Sequence, residues 1–465
     1  MNKKKLKKEF EEAIDLPEIW YSPQSDKFWM VDARDRYVQY PKGAVSTRLL
    51  HELEISKEDT SCLFAGIYKD KVVDFVTAIG GLPKGLLEID GKKVLIPWEQ
   101  RRIEPAEGDW SVIKQYLVGM LGEEQLEYYL GWLKTWVGSY YAYKPVPGQV
   151  LILVGETASG KTLLKSLHNH IFDGGGQPLK YMTGGTGFNG ELCEVCSLYI
   201  DDKLNDLGVA GKKKLKAECK ELAVAGEWRF EFKNKTAFTA SPIQRLLICC
   251  NYTEDSVSVI PDIDGSTRNK ISILDCKRNK MPMPTRTQEE KRMFWKKLEE
   301  ETPAFLHHIL HVHAIGDDFA DLEEERMGVR GYHNEKAMKY VETYSNEGKR
   351  LFAMIEALRK KDDAEDHWEG SAGALQRILK DNNIEDRATP TSIGRFLNQR
   401  INCGSKLVEK VGQRQYSIDL RDYEDGVDPE PAEVEEEEKV EPKSPEEKQD
   451  EFFDEDPIGD YYGHH

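Results

Sequence analysis

No stretch of the sequence is apolar enough, for long enough, to cross a bilayer. The basic start MNKKKLKKEF is followed by the polar, acidic EEAIDLPEIW and not by the apolar run of a secretory signal. Together these absences exclude a membrane protein and point to the cytoplasm. Cysteines are few: eight among 465 residues, irregularly spaced, which excludes a disulfide framework and suits reduced, buried thiols. Cys193 and Cys196 form a lone C-x-x-C with no second pair at ribbon spacing, so buried thiols are favoured over zinc. Positive charge is also short, with a formal net charge of −18. That deficit is local, because residues 421–465 hold 19 acidic against 4 basic residues, leaving only −3 for residues 1–420. A near-neutral body can still present a basic face to phosphates.

What is present is 39% hydrophobic and 32% charged residues, a balance that permits buried cores. At about 150 residues per domain the length predicts roughly three domains. Residues 1–104 alternate short β-rich runs (Phe28 to Val31, Arg36 to Tyr40, Lys71 to Val76, Lys92 to Ile96) with Gly and Pro, predicting a small β-rich accessory domain. Residues 105–148 carry apolar positions at helical spacing on either side of Gly122, predicting a helical hairpin that can serve as an oligomerisation collar. Residues 149–315 alternate strand and helix signals, the pattern of a parallel sheet covered by helices. Its last helix is expected to start at Thr302 as N-cap, with Pro303 at the first helical position, and to end near His313. After a linker over 316–345, residues 346–420 show three helical patterns and two terminal strands, the order of a winged helix-turn-helix. The acidic tail, 421–465, has too little apolar surface to offset its ordering entropy.

Chemistry concentrates after the apolar strand that begins at Gln149. Gly155-Glu156-Thr157-Ala158-Ser159-Gly160-Lys161-Thr162 fits G-x-x-x-x-G-K-[ST] and lies between a strand and a helix, as a phosphate-cradling loop requires. Backbone N–H groups and the helix start would wrap the phosphates, Lys161 would add a point charge, and Thr162 would place a hydroxyl on Mg²⁺. Some forty residues on, Ser197-Leu198-Tyr199-Ile200 runs into Asp201-Asp202. Asp201 is the expected metal ligand and Asp202 the candidate base orienting the attacking water. A third strand, Arg245 to Cys250, ends in Asn251, whose amide is suited to a γ-phosphate or that water. Arg268, before another apolar strand, is a candidate arginine finger for a neighbouring subunit.

Between Gly226 and Lys235 alternating residues predict a hairpin with Lys233 and Lys235 at its tip. These lysines would touch a strand in a ring's pore or simply be solvated, two readings the residues leave open. Arg395, Arg400, Lys410 and Arg414 put positive charge on the third helix and wing of the C-terminal module, where it would meet duplex phosphates. His307, His308, His311 and His313 share a helix without an intervening zincin Glu, so a solvated face is expected there.

The phosphate loop, Asp201-Asp202, the Lys233/Lys235 hairpin and Asn251 fall within Gly155 to Asn251. In this they resemble the motifs of superfamily 3 helicases, of the phage and poxvirus primase-helicase branch. The resemblance covers about residues 105–420. It implies an α/β fold with an AAA+ P-loop NTPase core, a homo-hexameric ring, ATP and Mg²⁺ between subunits and single-stranded DNA in the pore. It further implies Lys161, Thr162, Asp201, Asp202 and Asn251 around the nucleotide, Lys233 on DNA, Arg268 acting across the interface, and 3′ to 5′ movement. The first hundred residues are too short for the primase that many relatives carry and show no cluster of metal-binding carboxylates, so priming by these residues is not expected. The function expected is an ATP-dependent DNA helicase of phage or mobile-element replication. The alternatives are an origin initiator or loader without processive unwinding, and a nucleotide-switched DNA-binding protein.

Overall fold

The computed structural model describes residues 18–51, 56–201, 209–224, 227–233, 236–257, 260–261, 263–321, 326–344, 354–355, 357–359, 367–381, 389–391, 393–394, 397, 404–408 and 413–420. Asp202, Lys235, Arg395, Arg400 and Lys410 lie outside these residues, and Arg414 is described in its backbone only. The chain forms two compact units, residues 1–337 and 338–465. Among the described residues no helix is long and apolar enough to cross a membrane.

The first unit opens with the antiparallel strands β1 (Ile19–Ser22), β2 (Lys27–Val31) and β3 (Tyr37–Tyr40). Two helices follow where only strands and turns were expected, α1 (Lys42–His51) and α2 (Lys57–Asp70). The start of α2 is set by Ser56, whose Oγ accepts the Asp59 N–H at 3.1 Å. Each helix buries few apolar residues, Val45 and Leu49 on α1 and Phe64 and Ile67 on α2, so its periodicity is weak in the sequence. The strands β4 (Phe75–Val76), β5 (Gly85–Ile89) and β6 (Lys92–Ile96) then form a second small sheet in the order β4-β6-β5.

Next comes α3 (Ser111–Tyr141), broken at Gly122, where φ 75° and ψ 168° are not helical. Only glycine adopts that conformation cheaply, so the break falls where the sequence reading put it. The central sheet comprises β7 (Val150–Gly155), β8 (Gly175–Gly176), β9 (Ser197–Ile200), β12 (Arg245–Asn251) and β13 (Ile271–Cys276). These strands are all parallel, in the order β13-β7-β12-β9-β8. Every residue of β7 and β13 is buried, as in parallel sheets covered on both faces. Leu151, Leu153, Leu247 and Leu274 join α3, α4 (Lys161–Ile171) and α6 (Gln288–His307) in one core. Helix α5 (Val209–Val224) packs on β7, β12 and β13. The short hairpin β10 (Trp228–Phe230) and β11 (Phe238–Ala240) stands apart from this sheet.

The last helix of the core corrects an expectation. Its N-cap is Thr287, in a reciprocal capping box with Glu290, and Thr302 and Pro303 lie well inside it. Proline is tolerated there although it lacks the N–H that would bond Glu299, and the buried Thr302 hydroxyl returns to Leu298 O at 2.8 Å. The helix ends in a π-turn, His308–Val312. The histidines there are not a uniformly solvated face: His308 packs at a tilt against Trp110, ring centroids 4.6 Å apart, and His313 is buried. Helix α7 (Glu335–Tyr344) follows.

In the second unit, β14 (His367–Ser371), α8 (Ala372–Asp381) and the hairpin β15 (Gly404–Val408) and β16 (Gln413–Asp419) enclose a core of Leu358, Leu375, Leu379, Ile393, Tyr416 and Ile418. The strand order is β14-β16-β15, all antiparallel. Strand β14 was not expected from the sequence, because Trp368 is its one apolar side chain.

Candidate functional site

Open parallel sheets offer ligands the crevice outside the carboxyl ends of their strands. Gly155 ends β7, and the register sets Asn251 of β12 and Cys276 of β13 beside it. Ile200 pairs with Ile248, so Asp201 leaves β9 at this same edge. Two interstrand spacings place it about 10 Å across from β7.

The turn after β7 is forced by what surrounds it. A Cβ at Gly155 would overlap the carbonyl oxygen of Cys276, so only glycine fits between β7 and β13 at that level. Ala158 (φ 61°) and Gly160 (φ 99°) take left-handed conformations that curl the chain over the end of β7 and open α4 at Lys161. Tyr116 of α3 holds this corner: its hydroxyl donates to Gly160 O at 2.8 Å. Burial pushes its phenol well above the usual range, so it stays a donor.

Lys161 is 8% exposed, and its Nζ meets four oxygens. They are Gly155 O at 2.9 Å, Glu156 O at 2.8 Å, Ser159 Oγ at 3.1 Å and Asn251 Oδ1 at 3.0 Å. The ammonium therefore bridges the turn and the tip of β12. Among the described residues, the N–H groups of Thr157 to Thr162 have no backbone acceptor. Uncommitted donors at the start of a helix, with a lysine among them, make a place for phosphate oxygens. Thr162, the second residue of α4, is exposed.

Electrostatics ties Asp201 to the same place. The buried Cys249 thiol is pushed well up, first by burial and then by the negative charge of Asp201, while Lys161 opposes the shift. Asp201 and Lys161 thus act with opposite sign on one thiol. Burial, opposed by Lys161, likewise raises the Cys276 thiol to about 12. The Cys193 and Cys196 thiols are buried and raised as well. Among the described residues no group of three or more His, Cys, Asp or Glu could hold a metal ion.

Tyr252, the residue after Asn251, belongs to a polar cluster. The Tyr252 hydroxyl donates to Asp275 Oδ1 at 2.6 Å, and Lys336 Nζ lies 3.6 Å from Asp275 Oδ2 and 4.9 Å from the Tyr252 ring centre. Tyr116, Tyr252 and Asp275 escaped sequence reasoning. Tyr116 reads as one more apolar position of a helix, and Asp275 as an interruption of an apolar strand. That buried acid was the only available signal.

Other expected residues lie elsewhere. Arg268 is exposed in the turn before β13, at the sheet edge opposite Gly155, because Ile271 pairs with Val150 and Cys276 with Gly155. Five residues of strand, about 17 Å, keep it out of its own chain's site. Lys233 is exposed beyond β10, and the base of its hairpin is fixed by Asn189, which bonds Arg229 O at 3.0 Å and the Glu231 N–H at 2.8 Å.

No protein-family model matches the chain, and no curated protein matches it in sequence. Among solved structures, the apo NrS-1 C terminal region aligns at 15% identity and TM-score 0.55, covering 89% of this chain and 97% of that one. Its A form gives TM-score 0.53 at 15% identity, covering 89% and 98%. At that identity the likeness concerns the fold. The SCCmec type IV Cch active helicase aligns at 9% identity over 88% of this chain and 93% of that one, but a TM-score of 0.39 is too low to establish a shared fold.

Proposed function

We propose that the protein is an ATP-dependent DNA helicase of a phage or mobile-element replication system, assembled as a homo-hexamer in the cytoplasm. The observation that carries this is Lys161, held 3.0 Å from Asn251 Oδ1 across the end of a five-strand parallel sheet, with Asp201 directly after the next strand. A bound triphosphate would take over the Lys161 ammonium and the donors of Thr157 to Thr162. Thr162 and Asp201 fit Mg²⁺, which would neutralise charge on the β- and γ-phosphates. Asn251, released from Lys161, would then hydrogen-bond the γ-phosphate or the attacking water, with Asp202 as base.

Because Arg268 is exposed and far from its own site, it suits a role at a neighbour's phosphates. Lys233 on its anchored hairpin suits a pore contact with single-stranded DNA, the role proposed for Lys235 as well. The β14-β16-β15 sheet with helix α8 is consistent with a winged helix, whose Arg395, Arg400, Lys410 and Arg414 would meet duplex phosphates.

The test is ATP turnover with and without single-stranded DNA, together with strand displacement on a forked duplex. A helicase shows DNA-stimulated turnover and unwinding, both abolished by Lys161→Ala. Stimulated turnover without unwinding would leave a loader, and binding without turnover a nucleotide switch.

A further inference from the structure

Helix α4 carries a second lysine on the side of Lys161. Lys165 follows it by four residues, about one helical turn, and is only 7% exposed. A lysine commonly buries its carbon stem and brings the ammonium out to water. Here Nζ instead lies 4.7 Å from the ring centre of Tyr199, where α4 packs on β9.

Tyr199 pairs with Leu247, a member of the core shared with α3 and α4, so its side chain stands on the α4 side of the sheet. Its hydroxyl accepts from Gln177 Nε2 at 3.1 Å. Strand alternation carried two residues on puts Asp201 on that same side. In agreement, the Cys249 thiol, buried in this core, feels the negative charge of Asp201. On α4 itself Thr162 precedes Lys165 by three residues, a spacing at which helical side chains are neighbours. The Lys165 ammonium therefore lies where the two elements that bring Thr162 and Asp201 to the site meet.

We propose that Lys165 is a second cation of the nucleotide site, a positioning residue between Thr162 and Asp201 that sets how strongly ATP binding depends on Mg²⁺. This rests on the nucleotide reading above. The ammonium attracts anionic phosphates and repels a divalent cation held by Thr162 and Asp201. Removing the charge while keeping the stem weakens the binding of metal-free ATP and enlarges the gain that Mg²⁺ brings. A lysine that only filled space would behave differently: its loss would lower stability and shift ATP affinity alike with and without the metal.

The test is the ATP affinity of the full chain, titrated by melting temperature so that weak binding is still read, in EDTA and at millimolar Mg²⁺. The parent, Lys165→Met and Lys165→Arg are compared, and the readout is the ratio of the dissociation constants without and with Mg²⁺. A change in folding or in nucleotide affinity as such cancels from that ratio. It should rise roughly ten-fold in Lys165→Met, as expected of one screened charge acting on a nearby divalent ion, and stay within about two-fold of the parent in Lys165→Arg. An unchanged ratio in Lys165→Met, or an equal rise in Lys165→Arg, overturns the proposal. A parent that binds ATP under neither condition refutes the nucleotide reading, and this proposal with it. Should Lys165→Met not fold, Lys165→Gln, which keeps a polar end without the charge, is read for the same ratio.

Discussion

Replacing Tyr116 by Phe removes a single oxygen from the corner that holds the phosphate turn. The ring stays, so the packing around Gly160, where a Cβ would come 2.9 Å from Tyr116 Cε2, is unchanged. What is lost is the bond to Gly160 O, and that carbonyl keeps the Leu164 N–H at 3.1 Å, so no buried acceptor is orphaned. The cost is therefore one net hydrogen bond, about 1 kcal/mol, and not the larger penalty of an unsatisfied group. Tyr116→Ala would instead open a cavity in the core and cost about 3–5 kcal/mol. Urea unfolding of the two variants should reproduce this separation. Because the bond restrains a left-handed glycine at the start of α4, calorimetric ATP affinity should weaken in Tyr116→Phe by up to about five-fold. If the Phe variant matched the parent in both stability and affinity, or lost as much stability as the Ala variant, the role assigned to this hydroxyl would be wrong.

Gly155→Ala should cost about 2 kcal/mol in urea unfolding, since the new methyl meets backbone on β13, whereas Gly43→Ala, with nothing within 4 Å, should cost almost nothing. His168 is fully buried against Tyr129 and Trp136, and burial lowers its pKa to about 3. The unfolded chain binds that proton near pH 6.5, so stability is full above that pH and falls by up to about 1.4 kcal/mol per unit as pH drops towards 3. His168→Gln should flatten that slope by about one proton, read from urea midpoints between pH 6 and pH 4. Asp275→Asn keeps an oxygen for the Tyr252 hydroxyl but exchanges a charge-assisted bond for a neutral one; its pairing with the mostly exposed Lys336 matters little. Steady-state kinetics should show kcat down roughly ten-fold with KM for ATP nearly unchanged.

The parallel sheet was legible because β7, buried throughout, reads as an unbroken apolar run, and β12 and β13 as mostly apolar ones. The phosphate turn was legible because its glycines, Lys161 and Thr162 sit at fixed spacing. Other features depend on contacts distant in sequence. Nothing near Gly155 in the chain says that Cys276 will crowd it, and nothing near Tyr116 says that Gly160 will accept its proton. Strand β8 consists of Gly175 and Gly176, whose lack of side chains erases any periodicity. At Thr302-Pro303 a local rule misled, because a proline was read as a helix start while the capping box at Thr287 and Glu290 went unused.

The most direct measurement is calorimetric titration of the full-length protein with ATP at millimolar Mg²⁺, beside Lys161→Ala. Saturable heat from the parent and none from the variant is the outcome expected of a phosphate turn built around that ammonium. A parent that takes up no ATP, or a variant that takes it up equally well, would contradict it.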